Sequence, residues 1–389
     1  MTTASIADAR APLITGAATT PFGRHEGSDA IGLMARAAGA AIAEAGLEPG
    51  HIDGVLCGYA TTLPHIMLAT LFCERFGLRP SYAHGMSLGG GTGGAMLMLA
   101  GELVRAGRCR NVLVVAGENR ATGVSRDSTI QTLAQVGDPD FEVPNGTTIP
   151  AYYALLASRW LHETGCTEAD LAEFAVLMRA RAAEHPDAHL RTPITVDEVL
   201  ASKPIATPLK LLDCCPISDG AAALVVSAHA LPNAPRVAML GAGQAHLHQH
   251  ISAIADTANY GARDAAQAAL AQAGLAVADI DYLAIYDSFS VTLAILLEEI
   301  GFAPRGGAAQ RVRERVFDPG GPLPLNTHGG LMSFGHSGAA GGMCHAVEAV
   351  TQLAGRAGVR QVAPRHHAFF HADGGVLSSH VSIVMGREG

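Results

Sequence analysis

This chain of 389 residues has no Cys-x-x-Cys pair, although it carries seven cysteines, at 57, 73, 109, 166, 214, 215 and 344. An odd number without paired spacing excludes a disulfide framework and reads as reduced thiols in a cytosol. Charge is scarce. Asp, Glu, Lys and Arg make up 16% of the residues, and the net charge of −9 argues against nucleic acid as a partner. No apolar run is long enough to span a bilayer. Met1–Ser5 lacks the basic region and apolar core of a signal peptide. These absences together predict a cytoplasmic protein. There is also no Gly-Lys-Ser/Thr, so phosphate-loop chemistry is excluded. What the chain has in quantity is apolar surface to bury. Hydrophobic residues reach 49%, enough for a large core plus a subunit interface.

The stretch Ser87-Leu88-Gly89-Gly90-Gly91-Thr92-Gly93-Gly94-Ala95-Met96-Leu97 is a glycine turn running into a helical pattern. Such a helix aims unpaired N–H groups and its positive dipole end back at the turn, a geometry suited to an anion or an enolate oxygen. A turn of this kind usually raises a nucleophile on its tip, and here neither Cys nor Ser stands there. Gly89-x-Gly91-x-x-Gly94 also fits the dinucleotide fingerprint, with Glu118 in the role of the ribose-binding acid.

The pattern around it is alternating β and α. Strands are expected at 11–16, 52–59, 111–116, 221–227, 282–286, 369–375 and 381–385, with helices from Ala30 to about Ala45, up to Ile300 and up to Leu353. Asp29 is placed to cap the first helix. The segment 41–53 has a twin at 269–281, and Gly93–Arg108 has a weaker one at Gly341–Arg356. Two ordered matches indicate a duplicated α/β half. The halves are read as 1–231 and 236–389, joined at Pro232–Pro235. A helical cap at about 117–208, carrying Trp160, is inserted into the first.

Polar groups stand on several turns. Tyr286-Asp287-Ser288-Phe289 closes a strand, where a tyrosine can exchange a proton across a cleft or simply pack in the core. His336 lies between glycines before a helix, in position to hold a developing oxyanion. His371 precedes Asp373-Gly374-Gly375. His246-x-His248-x-His250 could place three imidazoles on one side of a strand. No carboxylate or Cys adjoins it, so the reading is no metal site.

These stretches resemble the thiolase superfamily over nearly the whole chain. Asn326-Thr327-His328-Gly329-Gly330, Gly335-His336 and Gly341-Gly342 look like the family's C-terminal block, which Gln352-Leu353 and Arg360-Gln361-Val362 continue. Tyr286–Phe289 falls on its Asn-Glu-Ala-Phe or His-Asp-Cys-Phe element, and His371 where the second Cys or a His stands. Cys214-Cys215-Pro216 through Ala223 resembles the sterol-carrier-associated branch. The likeness implies a five-layered αβαβα arrangement of two halves, a homodimer, and coenzyme A as part of the substrate with no bound cofactor.

The departure from the family lies at position 90, where registering on Thr92-Gly93 puts glycine in place of the acylated Cys. Without that thiol the two-step thiolysis of a 3-ketoacyl-CoA is not available. Cys-free relatives of this family include aldolases that cleave 3-hydroxyacyl-CoA side chains, notably of steroids, often with a small zinc-ribbon/OB-fold partner. Some of them carry a second active-site tyrosine after the Gly-His element, whereas Ser337 to Gly342 contains none. The resemblance therefore implies retro-aldol cleavage. Tyr286 would take the hydroxyl proton, His336 and the Gly90, Thr92, Gly93 turn would hold the thioester oxygen, and His371 would assist proton return. An acyltransferase using another nucleophile and a non-catalytic acyl-CoA-binding subunit are the alternatives.

Overall fold

The structure, a computed structural model, describes residues 11–388. The expectation drawn from Met1–Ser5 falls outside the described residues. The first half runs β1 (Leu13–Thr19), α1 (Ala30–Glu44), β2 (Gly54–Gly58), α2 (Leu68–Phe76), β3 (Tyr82–Met86), α3 (Thr92–Arg105) and β4 (Asn111–Asn119). An insertion follows, with α4 (Arg126–Ala134), α5 (Ile149–Thr164), α6 (Glu168–Ala183), α7 (Val196–Ala201) and a small hairpin of β5 (Pro204–Ala206) and β6 (Leu209–Lys210). β7 (Asp219–Ser227) closes that half. The second half is β8 (Val237–Ala245), α8 (Ala262–Ala273), β9 (Tyr282–Ile285), α9 (Ser290–Ile300), α10 (Ala308–Arg313), α11 (Gly330–Ser333), α12 (Ala339–Leu353), β10 (His367–Gly374) and β11 (Ser379–Arg387).

The strands lie in the order β3-β2-β4-β7-β1-β8-β11-β10-β9. Read outward from the centre, β1-β7-β4-β2 and β8-β11-β10-β9 are the same sheet twice. In each, the first two pairings are antiparallel and the last is parallel. The duplication extends to packing. A Cβ on Gly16 of β1 would lie 2.1 Å from the Ala41 carbonyl of α1, and one on Gly241 of β8 would lie 2.2 Å from that of Ala269 in α8. Ala41 and Ala269 are the residues that the 228-residue repeat equates. The helix backbone presses on the strand at both places, so only glycine fits.

The half-sheets hydrogen-bond to each other at Leu13↔Ala238 and Ile14↔Val237. Away from that seam α3 and α12 fill the space between them, each packing on strands of both halves. Helices α1 and α2 cover the outer face of the first half, and α8 and α9 that of the second. The result is the αβαβα layering expected. Because the two middle helices are covered on both sides, α12 is buried nearly all round.

Boundaries agree with the sequence pattern within a few residues, and Asp29 caps α1 by accepting from the Gly32 amide at 2.7 Å. Among the elements outside the expected set are α2, β3 and β8. β3 is an edge strand with little buried surface, so it carries no strong alternation. The insertion also sits differently from a cap on the first half. α5 and α6 share a core with α9 of the second half, and Trp160 Nε1 donates to Glu298 Oε2 at 2.9 Å.

Candidate active site

β9 ends at Ile285, and Tyr286 is held at its tip by donating its amide to the His371 carbonyl at 3.0 Å. The next residue, Asp287, is fully buried. Its Oδ1 accepts from the Leu331 amide at 2.7 Å and lies 3.2 Å from His345 Nε2 of α12. Burial raises the Asp287 pKa, and His345 opposes the rise. This carboxyl therefore fastens the β9 tip to α11 and to α12, which fixes where the Tyr286 side chain points.

His336 lies in the loop between α11 and α12. Its amide donates to the Pro216 carbonyl at 3.2 Å, and its own carbonyl accepts from the Ser218 amide at 3.0 Å. So anchored, His336 Nε2 stands 3.2 Å from the Tyr286 hydroxyl, with the rings perpendicular. The tautomer of the ring decides which of the two donates. Although His336 keeps part of its surface, the ring is closely enclosed. Burial, Arg120 and His345 together push its pKa down to about 3, so the ring is neutral at physiological pH. Burial, Asp373 and Cys215 push Tyr286 well above the usual phenol range, and Arg120 pulls the other way. The pair is thus a neutral phenol against a neutral imidazole.

The Gly90 turn closes the site. A Cβ built on Gly90 would lie 2.2 Å from the Tyr286 hydroxyl oxygen and 2.4 Å from the Asp373 carbonyl oxygen. The phenol therefore occupies the position from which a side chain at 90 would grow. Thr92, expected in the oxyanion turn, is fully buried. Its Oγ1 donates to the Gly89 carbonyl at 2.6 Å and accepts from the Leu88 amide at 2.8 Å, so it locks the turn. Gly93 faces Met343 of α12 and permits the close packing of the two middle helices.

The structure does not bring the His371 ring to this pair. Its Nδ1 is 2.8 Å from Ser382 Oγ and its Nε2 3.1 Å from His380 Nδ1, on the neighbouring strand β11. Only its backbone reaches Tyr286. Asp373, two places on and near the end of the same strand, does lie beside Tyr286. Asp373 is buried and accepts from the Tyr153 hydroxyl at 2.9 Å through Oδ2, while Oδ1 has no hydrogen-bond partner among the described residues. Burial raises its pKa well above the carboxylate range, against the Tyr153 hydrogen bond. Tyr153 comes from α5, stacks on Phe289 with ring centroids 4.4 Å apart, and supplies a second tyrosine that the Ser337–Gly342 stretch lacks. No sequence signal pointed to it, because its partner lies 220 residues away.

Two weaker motifs dissolve. Glu118 is fully buried and bound to Arg120 at 2.8 Å, so it presents nothing to a ribose. His246, His248 and His250 point to Ser379, to the Val376 carbonyl and toward Asp138 respectively, and do not converge.

The layered, duplicated fold and a polar cluster at the tips of its middle helices define a thiolase-type enzyme, and the chain belongs to the thiolase family. Residues 13–230 match the thiolase N-terminal domain and 243–387 the thiolase C-terminal domain-like family. An acetyl-CoA acetyltransferase of Methanothermobacter thermautotrophicus is 30% identical over 93% of this chain and 96% of its own length. A steroid side-chain-cleaving aldolase of Thermomonospora curvata is 33% identical over 87% of this chain and 90% of its own. The 17-hydroxy-3-oxo-4-pregnene-20-carboxyl-CoA lyase of Mycobacterium tuberculosis is 30% identical over 96% and 98%. The solved structure of an Ltp2-ChsH2(DUF35) aldolase superposes with a TM-score of 0.85 at 30% identity, covering 97% of this chain and 98% of that one.

Proposed function

We propose that this chain is a thiolase-fold lyase that cleaves a 3-hydroxyacyl-CoA by retro-aldol chemistry, without an acyl-enzyme. The observation that carries the reading is the phenol of Tyr286 standing where a side chain on Gly90 would begin, 3.2 Å from His336. A proton-transfer pair has taken the place of a nucleophile.

In the reaction, the β-hydroxyl of the substrate loses its proton as the Cα–Cβ bond breaks. The electron pair passes into the thioester as an enolate, a ketone or aldehyde leaves, and Cα is reprotonated. Burial makes a standing tyrosinate costly, so Tyr286 works as a relay. It accepts the hydroxyl proton as its own moves to His336 Nε2, and because burial, Arg120 and His345 depress that imidazole, it holds the proton only while the enolate faces it. The backbone of the Gly90 turn, at the N-terminus of α3, is the second support for the thioester oxygen. Asp373, kept protonated by burial, takes the part in proton return first assigned to His371: it protonates Cα, and the proton held on His336 passes back through Tyr286 to restore the acid form of Asp373.

The aldolase and lyase among the relatives favour this direction over acyl transfer. For a transferase with another nucleophile, Cys215 is a thiol close enough to Tyr286 to influence it. Burial, Cys214 and Asp287 hold it far above the usual thiol range, so it stays protonated and unreactive. Coenzyme A enters as part of the substrate. A bulky acyl group such as a steroid side chain, a small zinc-ribbon/OB-fold partner and a cytosolic setting belong to the same proposal. So does a homodimer, supported by the edge strand β3 beside fully exposed Ile66, exposed Met67 and an apolar cavity of about 530 Å³.

The test is incubation of the chain, alone and co-expressed with a candidate partner, with a panel of 3-hydroxyacyl-CoAs. Release of free ketone or aldehyde with a shortened acyl-CoA, and no mass added to the protein, is the expected result. An acyl adduct on any side chain during turnover overturns it. Tyr286→Phe should lose on the order of 10²-fold in rate.

A further inference from the structure

One buried charge beside this site takes no part in the chemistry above. β4 ends in Glu118, Asn119 and then Arg120, whose side chain is 6% exposed. Arg120 Nη2 donates to Glu118 Oε1 at 2.8 Å, while the other Glu118 oxygen accepts from the Thr61 and Thr62 amides and the Thr61 hydroxyl. Arg120 Nε has no partner among the described residues. The pair is pinned to the chain just after His336. Ser337 Oγ donates to the Glu118 carbonyl at 2.9 Å, and a Cβ on Gly338 would lie 2.0 Å from Glu118 Oε1 and 2.9 Å from Arg120 Nη2. The guanidinium is thereby fixed two residues along from the catalytic imidazole.

Burying an ion pair costs several kcal/mol before any return, and an unmade N–H adds to that. Structural cement alone would be served as well by apolar residues. What the position offers is a fixed positive charge at a site where negative charge must appear. We propose that Arg120, held in place by Glu118, is the electrostatic positioning residue of this site, supporting the negative charge that develops across the substrate oxygen and the Tyr286 phenol as the proton moves and that ends on the thioester enolate. The proposal deepens the aldolase reading and rests on it. Burial works against the charge on Arg120, but Glu118 and Tyr59 outweigh it and the group stays cationic. Around Tyr286, Asp373 lies at the end of β10, Tyr153 on α5, Cys215 and Tyr59 on loops of the first half, His336 in the loop before α12 and His345 on α12. Arg120 is the cation among them that favours the phenolate.

Arg120→Met, Arg120→Lys and Glu118→Gln are compared with the wild type on a substrate that the wild type cleaves. Arg120→Met should lower kcat by about 10²-fold with KM little changed, as loss of one fixed transition-state charge does. It should also move the basic limb of the pH–rate profile upward, and Arg120→Lys should recover part of both. An unmoved profile with only a lowered melting temperature overturns the proposal. If Arg120→Met fails to fold, Arg120→Lys and Thr61→Val, which loosens Glu118, carry the same test. A second readout needs no turnover. With 3-fluorotyrosine at position 286, fluorine NMR follows its ionisation, and the phenol pKa should rise when Arg120 is replaced. If the wild type cleaves nothing on the panel but this pKa still moves, the aldolase reading fails while the charge assignment stands. If cleavage occurs and neither the profile nor the pKa moves, the Arg120 assignment alone fails.

Discussion

Gly90→Ala adds one methyl group at a point already filled from two sides. The new carbon would stand 2.2 Å from the Tyr286 hydroxyl oxygen, 2.6 Å from its Cζ and 2.4 Å from the Asp373 carbonyl oxygen. Carbon and oxygen in ordinary contact keep more than 3 Å, so something must move by about 1 Å. The Asp373 carbonyl belongs to β10 and cannot yield without disturbing its strand. The Tyr286 ring is the softer neighbour, and its displacement carries it away from His336. Overpacking of this kind costs about 1–3 kcal/mol. A shift of about 1 Å in a reacting group costs about 10²-fold in rate. Gly90→Ala should therefore melt a few degrees lower and lose about 10²-fold in cleavage, with substrate binding far less affected. Gly90→Cys should lose as much and gain no thiolysis, because its Sγ has no room between the phenol and the carbonyl. Turnover near the wild-type rate in Gly90→Ala, or an acyl-enzyme trapped on Gly90→Cys, refutes the claim that Tyr286 has taken over that position.

Three further outcomes follow from the same geometry. Cys215→Ala should cleave within about threefold of the wild-type rate, because its protonated thiol takes no part; loss of activity together with loss of acyl labelling would revive the transferase reading. His371→Asn should cost about 1–3 kcal/mol in urea unfolding by breaking buried hydrogen bonds to Ser382 and His380, with kcat within a few-fold of the wild type; a selective loss of kcat would return His371 to the reaction. The third outcome concerns pH. Burial depresses His185 and His380 to about 4 and His336 to about 3. Between those values and about 6.5 the unfolded chain binds more protons than the native one, so this share of stability is full above pH 6.5 and lost as pH falls. Asp287 and Asp373, raised by burial, act in the opposite sense. The melting temperature should drop on acidification below pH 6.5 by less in His185→Gln than in the wild type; identical slopes would show that His185 titrates normally.

The sequence alone determined the layers and the vacancy. Apolar periods of α1, α9 and α12 and unbroken strands such as Val112–Ala116 are local consequences of what each element must bury, so they survive in one dimension. The repeat of 41–53 at 269–281 survived because the Gly16–Ala41 contact recurs at Gly241–Ala269 and constrains the same small residues twice. That a glycine stands at 90, and that Tyr286 and His336 sit on turns, was legible for the same reason: turns need glycine, and polar residues beside it stand out. Tertiary structure decided which of these groups meet. His371 and Asp373 are two residues apart on one strand, yet β11 takes the His371 ring into a bond with His380, while Asp373 meets Tyr153 from an insertion 220 residues away. Nothing in the sequence marks Arg120, which the fold buries against Glu118 beside Ser337 and Gly338. Contacts between distant segments leave no periodicity in the chain. Side-chain pairs that span the two halves are therefore readable only once the middle helices have brought the halves together.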